Sequence, residues 1–358
     1  MTRALLALAA TALLAVSAAV FGANTALAAN TGSITVSHTP MVLAGSQSTT
    51  IRVVVPQATD PIAATKIYVP TGYGVNVSQP ADTSIGTVDA TAYSRDAGLT
   101  LPLSGTVATA NPANYAAAST VCAGTPTSKA VWILTLTIAT TTLKVPLYVN
   151  PTTGGETALG AYKLSICLPP PDLPVGDPRR AAQGAQLLEA TFTVNGIFTT
   201  PTGGGLLKWD TLFTPYNPGK GTPNAAGAFE ARAFVPLPII LNLQASYRKA
   251  TKTYTLSGRV SRGGLPAAGL TVAIARGTSA TALRRAASAK TGTSGTFRLT
   301  GKLKPRKTTF FQATASAPET DYTAQGCKAP ATTFAPAGCV SAKLSPWSAK
   351  SGVVRIKS

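Results

Sequence analysis

After the first 28 residues, apolar side chains fall at every second position in short runs, and Gly, Pro, Asn and Asp separate the runs. A strand turns successive side chains to opposite faces, so this spacing builds half-buried strands and cannot build an amphipathic helix. In TIRVVVP, Ile51, Val53 and Val55 share a face, and in AVWILTLTIA, Trp132, Leu134, Leu136 and Ile138 do the same. Leu143, Val145, Leu147 and Val149 continue the pattern; AYKLSICL sets Tyr162, Leu164, Ile166 and Leu168 opposite Cys167. Many short strands without interleaved helices predict an all-β chain of two antiparallel β-sandwich domains. The one helix the sequence suggests lies over 177–190, DPRRAAQGAQLLEA, with Asp177 as its cap and Pro178 in its first turn. The preceding LPPPDLPVGD is too rich in proline for a central strand and reads as a surface loop.

The N-terminus has Arg3, an apolar stretch from Ala4 to Phe21 and the A-x-A site Ala26-Leu27-Ala28. That layout predicts a secretory signal over 1–28, cleaved after Ala28, the alternative being an uncleaved N-terminal anchor helix. No later segment reaches the roughly 18 apolar residues of a membrane helix. The rest exceeds what one core usually holds, and charge shows where to divide it. Residues 239–358 carry 19 Lys and Arg against two acids, Glu319 and Asp321, whereas 30–238 carry 11 against ten. The expected units are therefore 29–237, near neutral, and 238–358, strongly basic.

Export implies an oxidising compartment for Cys122, Cys167, Cys327 and Cys339. Four cysteines allow three pairings. Pairing neighbours, Cys122 with Cys167 and Cys327 with Cys339, keeps each bridge within one unit and is the expected arrangement.

In the basic unit, Leu241, Leu243, Ala245 and Tyr247 alternate inward, then Tyr254, Leu256 and Val260, then Leu270, Val272 and Ile274, with GTFRLTGKL, TTFFQATA and VVRIK to follow. Here SGRVSRGGLPAAGLTVAIARG and AKTGTSGTFRL resemble the pattern of carboxypeptidase-regulatory-like and related bacterial immunoglobulin-like domains. Gly258, Val260, Gly264, Pro266, Gly269 and Val272 match its first part and Thr291, Gly295 and Phe297 its second. The resemblance spans roughly 240–316 and implies an immunoglobulin-like sandwich used as a spacer or adhesive module. KAPATTFAPAG, between Cys327 and Cys339, departs from the pattern as an insertion before the final strand. VPQATDPIAATKIYVPTGYGVNVSQP and WDTLFTPYNPGKGTPN in the first unit resemble secreted β-sandwich proteins of high-GC Gram-positive-type bacteria, a likeness that implies no activity.

From Leu283 to Lys307, eight of 25 residues are Lys or Arg and none is acidic. Lysines on exposed strands blunt edge pairing and need no ligand. A soluble surface, however, usually mixes signs, and a single-signed field concentrates polyanions. The expected polyanion-binding set is Arg259, Arg284, Arg285, Lys290, Arg298, Lys302, Lys304, Arg306, Lys307, Arg355 and Lys357, read as one face of a β-domain. Its expected partner is an anionic cell-envelope polymer or polysaccharide. Nucleic acid is not expected as a physiological partner: the chain is exported, and Phe297, Phe310 and Phe311 read as core, leaving no aromatics for base stacking.

His38 is the only histidine, and its parity with Ile34 and Val36 makes it structural. His38 and Met41 in HTPM are two soft ligands, too few for a copper site. Asp82 with Asp89, and Asp172 with Asp177, are the close carboxylate pairs, each better placed to cap a turn. Trp209, Phe213 and Tyr216 are expected at an inter-domain seam or, failing that, on a carbohydrate platform. The sequence thus predicts a secreted, non-catalytic surface protein without a cofactor. The alternative is a secreted enzyme or metal-binding protein with its site in the first unit.

Overall fold

The computed structural model describes residues 30–138, 141–322 and 339–358. The expected signal, Cys327 and the insertion after it lie outside the described residues. The first half forms β1 (Ser33–Thr39), β2 (Ser46–Val54), β3 (Ile62–Val69), β4 (Gly74–Val75), β5 (Ser84–Ser94), β6 (Leu99–Ala110), β7 (Ala130–Ile138), β8 (Thr141–Pro151), β9 (Tyr162–Cys167), β10 (Ala185–Thr199), β11 (Gly205–Pro215) and β12 (Phe229–Leu237). The second half forms β13 (Ile239–Arg248), β14 (Thr253–Arg262), β15 (Leu265–Pro266), β16 (Thr271–Gly277), β17 (Arg284–Lys290), β18 (Thr296–Lys302), β19 (Thr308–Ala317), β20 (Thr320–Asp321), β21 (Cys339–Leu344), β22 (Trp347–Lys350) and β23 (Val354–Lys357). The fold is nearly all β, and among the described residues the strands pair antiparallel apart from one parallel pair, β12 with β21.

The first sheet runs β1-β2-β10-β5-β6-β7-β8-β9-β3-β11-β12-β21-β20. It rolls over until β1 packs beside β12 and β21, where the Val36 amide donates to Ser345 Oγ at 3.1 Å. The two layers of this sandwich are therefore opposite walls of one continuous sheet. The alternating apolar residues of every strand meet inside, with Trp132, Phe198, Trp209 and Phe213 wholly buried. Cys122, near the end of helix α1 (Ala116–Ala123), bonds Cys167 on the outward side of β9. That bridge closes a long loop and fastens α1 over Val131, Ile133 and Tyr148. Cys339 is also disulfide-bonded.

Residues 177–190 are not a helix. Asp177 Oδ1 accepts from the Arg179 amide in a turn, Gln183 and Gly184 take left-handed backbone, and Ala185 begins β10. Strand β10 lies between β2 and β5, and two full ladders outweigh the helix propensity of its alanines. The expectation for Trp209, Phe213 and Tyr216 also fails, since all three are buried in or against the first core.

Past Leu237 the strands change sheet. β13, β14, β15 and β18 make one sheet and β17, β16, β19, β22 and β23 another, packed face to face with Tyr254 and Phe311 ring centroids 5.0 Å apart. The motif residues explain themselves here. A Cβ on Gly258 would lie 2.0 Å from Asn242 O and 2.5 Å from the Phe297 ring, so this position admits only glycine beneath Phe297. Thr291 is buried, donating to Ala267 O at 2.6 Å and accepting from the Leu270 amide at 2.9 Å. Strands β20 and β21 leave this sandwich and pair on the first sheet, flanking the insertion the sequence singled out.

Candidate functional site

Strand β13 starts at the crossing from the first sheet and carries the chain about 30 Å away at the usual strand rise, ending at Arg248. Three connections meet at that far end. The turn after β13 bears Lys249 and Lys252; the Leu303 amide donates to Lys252 O at 3.0 Å, drawing in Lys302, Lys304, Arg306 and Lys307. The C-terminus closes over the same loop, with Ser358 Oγ donating to Lys304 O at 2.6 Å and the Arg306 amide donating to Ser358 O at 2.7 Å, which adds Lys357. The pairing of Gly277 with Phe310 brings the β16–β17 hairpin there with Arg276 and Arg284. All ten cations are exposed, and none joins an ion pair among the described residues.

The expected basic set therefore divides. Arg284, Lys302, Lys304, Arg306, Lys307 and Lys357 gather at this distal pole, and Arg285 and Arg355 sit beside it on the sheet of β16 and β19. Arg298 lies halfway along the outer face of the other sheet, while Arg259 and Lys290 lie at the end nearer the first half. They do not form one face, because β17 and β18 belong to opposite layers. Arg248, Lys249, Lys252 and Arg276 escaped the sequence reading, since only the turns bring them to the cluster. The two acids of the C-terminal half sit elsewhere. Glu319 pairs with Arg52 at 3.1 Å and Asp321 with Lys343 at 2.6 Å, both against the first sheet. Residues 239–317 and 345–358 hold 17 Lys and Arg and no acid at all.

A second charged cluster, absent from the sequence reading, lies on the outward side of β3, β9, β11 and β12. Lys163, Tyr68, Asp210 and Arg232 are successive cross-strand partners. Arg232 Nε reaches Asp210 Oδ1 at 3.0 Å and Glu230 Oε1 at 2.9 Å, and Lys208 Nζ reaches Asp210 Oδ2 at 2.6 Å. Burial, then the adjoining Asp210 carboxyl, pushes Glu230 up to about 7. Glu156 covers the other end, accepting from Tyr68 Oη at 3.0 Å and pairing with Lys163 at 2.6 Å. Burial opposes its charge, but Lys163 and Lys66 hold it below the ordinary carboxylate value. Side chains of Asp210, Glu230 and Arg232 are 1%, 3% and 8% exposed, so the cluster is structural in position.

His38 is buried more deeply than its place at the end of β1 suggests. Thr49 Oγ1 and Tyr73 Oη lie 2.9 Å from Nδ1 and Nε2, and Trp209 stands 6.5 Å from the ring. Burial lowers it to about 4 from 6.5. The unfolded chain takes up a proton below pH 6.5 and the folded chain resists until about 4, so His38 opposes folding as pH falls through this window. We expect this residue to cost about 2 kcal/mol at about pH 5 relative to neutrality. His38→Asn should remove that part of the pH dependence of urea unfolding; an unchanged pH profile would refute the assignment. Asp82 sits in a left-handed turn, and Asp172 accepts from the Gly219 amide at 2.7 Å. Among the described residues no three His, Cys, Asp or Glu side chains converge as metal ligands, and no helix is long and apolar enough to cross a membrane.

No family model and no curated protein matches the chain. Solved structures similar to it include the D0-D1 domain of intimin, 8% identical with a TM-score of 0.20, covering 92% of this chain and 100% of that one. The full-length major pilin SpaD from Corynebacterium diphtheriae is 11% identical with a TM-score of 0.24, covering 80% of this chain and 56% of that one. A DUF4466 family protein from Parabacteroides merdae is 7% identical with a TM-score of 0.21, covering 91% and 99%.

Proposed function

We propose that this chain is a secreted, non-catalytic surface protein whose C-terminal sandwich attaches it to an anionic polymer of the cell envelope through the distal basic pole. The observation that carries the reading is the sandwich's 17 cations without a single acid. Solubility alone is served by mixed charge, and the first half of the same chain has it. A pole of one sign, projecting away from the first half, concentrates a polyanion without demanding a particular sequence or stereochemistry. Division of the chain near residue 237, with β20 and β21 returning to the first half, leaves that pole free to face the polymer.

The test uses the full chain and an alginate column. Each cation near an anionic surface contributes about 1 kcal/mol, so Lys302→Glu, Lys304→Glu and Lys307→Glu together should weaken retention about a hundredfold at low salt. Reversing Arg259 and Lys290, at the opposite end, should have a much smaller effect. Equal loss from both variants, or retention of the triple variant with an unchanged circular dichroism spectrum, would refute the pole as the attachment site.

A further inference from the structure

The outward face of the first sheet is built differently from the basic sandwich. Ser37, Thr50, Thr193, Thr87, Thr106 and Thr135 are successive register partners on β1, β2, β10, β5, β6 and β7, an unbroken row of hydroxyls across six strands. Two residues along, Thr191, Asp89, Ser104, Thr137 and Thr142 form a parallel row from β10 to β8. Threonine suits any exposed strand, but the outward positions of β17, β18 and β23 are rich in Lys and Arg, whereas these rows are nearly uncharged. The sheet also has a cleft here of about 340 Å³, with Asp89, Ser104, Thr191 and Glu189 around Pro102 and Leu103. Glu189 is held by Arg52, Nε to Oε1 at 2.7 Å and Nη2 to Oε2 at 3.1 Å. Asp89 has no cation and no hydrogen-bond partner among the described residues, leaving an exposed carboxylate beside the exposed ring of Pro102.

We infer that this face binds a neutral linear polysaccharide laid across the strands, with one sugar unit in the Asp89 cleft. Four features select that ligand. Neighbouring strands lie about 4.8 Å apart, close to the advance of one sugar along an extended glycan, so each strand offers a hydroxyl to each unit. A free carboxylate accepts from two vicinal sugar hydroxyls, while Pro102, on the same face as Ser104, meets the C–H face of the ring. Asp89, the carboxylate left without a cation here, repels polyanions, which separates this surface from the basic pole in ligand as well as in place. The Thr methyl groups supply apolar contact between the hydroxyls without adding charge.

Titration calorimetry of the full chain with cellohexaose, mannohexaose and xylohexaose tests this, in about 1 M NaCl, where screening over about 3 Å silences the basic pole. Saturable binding of at least one is expected. It should weaken about tenfold in Asp89→Asn, which keeps shape and removes charge, and similarly in Thr87→Val with Thr106→Val, which keeps the β-branch and removes the hydroxyls. The triple reversal at the pole should leave it unchanged. No saturable binding of any of the three sugars, or binding that survives both the Asp89 and the Thr variants, would overturn the inference.

Discussion

Arg232→Met is expected to destabilise the folded chain by about 3–5 kcal/mol at about pH 8, because the substitution removes the guanidinium between two buried carboxyls. Arg232 Nε lies 3.0 Å from Asp210 and 2.9 Å from Glu230, and Lys208 reaches only the far oxygen of Asp210. The variant therefore leaves Glu230 with no cation of its own in this cluster. The pH dependence distinguishes this cause from lost packing. Glu230 is already raised to about 7 from 4.5 in the intact protein. A carboxyl with a raised value binds its proton in the folded state first, so its contribution favours folding as pH falls and is lost as pH rises through about 7. The variant should regain much of its deficit at about pH 5.5, measured by urea unfolding at both pH values. A loss below about 1 kcal/mol, or one independent of pH, would remove the carboxyl pair as the cause.

This cluster also shows where sequence reading reaches its limit. In the structure Glu230 and Arg232 face away from Phe229, Ala231 and Ala233, and Lys208 and Asp210 away from Trp209, an alternation the sequence analysis does not draw on. Alternation separates two faces but does not say whether water lies beyond the second. β12 is buried along its whole length: the returning β21 pairs along its edge, the Tyr322 ring lies over Phe234 with centroids 4.5 Å apart, and Leu159 covers Tyr68 and Leu212 on the neighbouring strands. No local signal encodes that return, since β21 follows β12 by about a hundred residues in sequence and pairs with it parallel.

The basic pole was half legible for a related reason. The stretch 283–307 is legible because its charges are close in sequence, whereas Lys249 and Lys252 lie on another turn and join it through the Leu303–Lys252 backbone bond, and Arg276 joins it through the pairing of β16 with β19. The inward set of β14, Tyr254, Leu256 and Val260, is fully readable, because two sheets packed face to face need one buried face per strand and alternation states which. Only the first residues of β10 carry helix-forming alanines, and they suggest a helix that the strand overrides. Its later part, TFTVNGIF, already alternates Phe192, Val194 and Ile197 into the core, and the Ala-rich start follows the strand that contains it.

Trp209→Ala should cost about 3–5 kcal/mol and change the pH response of a residue it does not bond. Trp209 is wholly buried at the meeting of the first sheet's walls, with ring centroids of Tyr73 at 5.3 Å, Phe198 at 5.7 Å and His38 at 6.5 Å. Its neighbours belong to β1 and β10 and to the loop after β3, which cannot all move inward to fill the space because each β-strand is fixed by ladders on its own sheet. The cavity beside His38 and Tyr73 is lined by polar atoms as well as apolar ones, so it admits water. Hydration relieves the burial that holds His38 at about 4, and its value rises toward 6.5. The folded variant then takes up a proton over the same range as the unfolded chain, and the acid-side loss of stability assigned to His38 shrinks. Trp209→Phe, which retains most of the volume, should lose less than half as much stability and keep the steeper pH profile. Equal losses in the two variants, or an Ala variant with the parent's pH profile, would show that the His38 shift does not depend on the packing of Trp209.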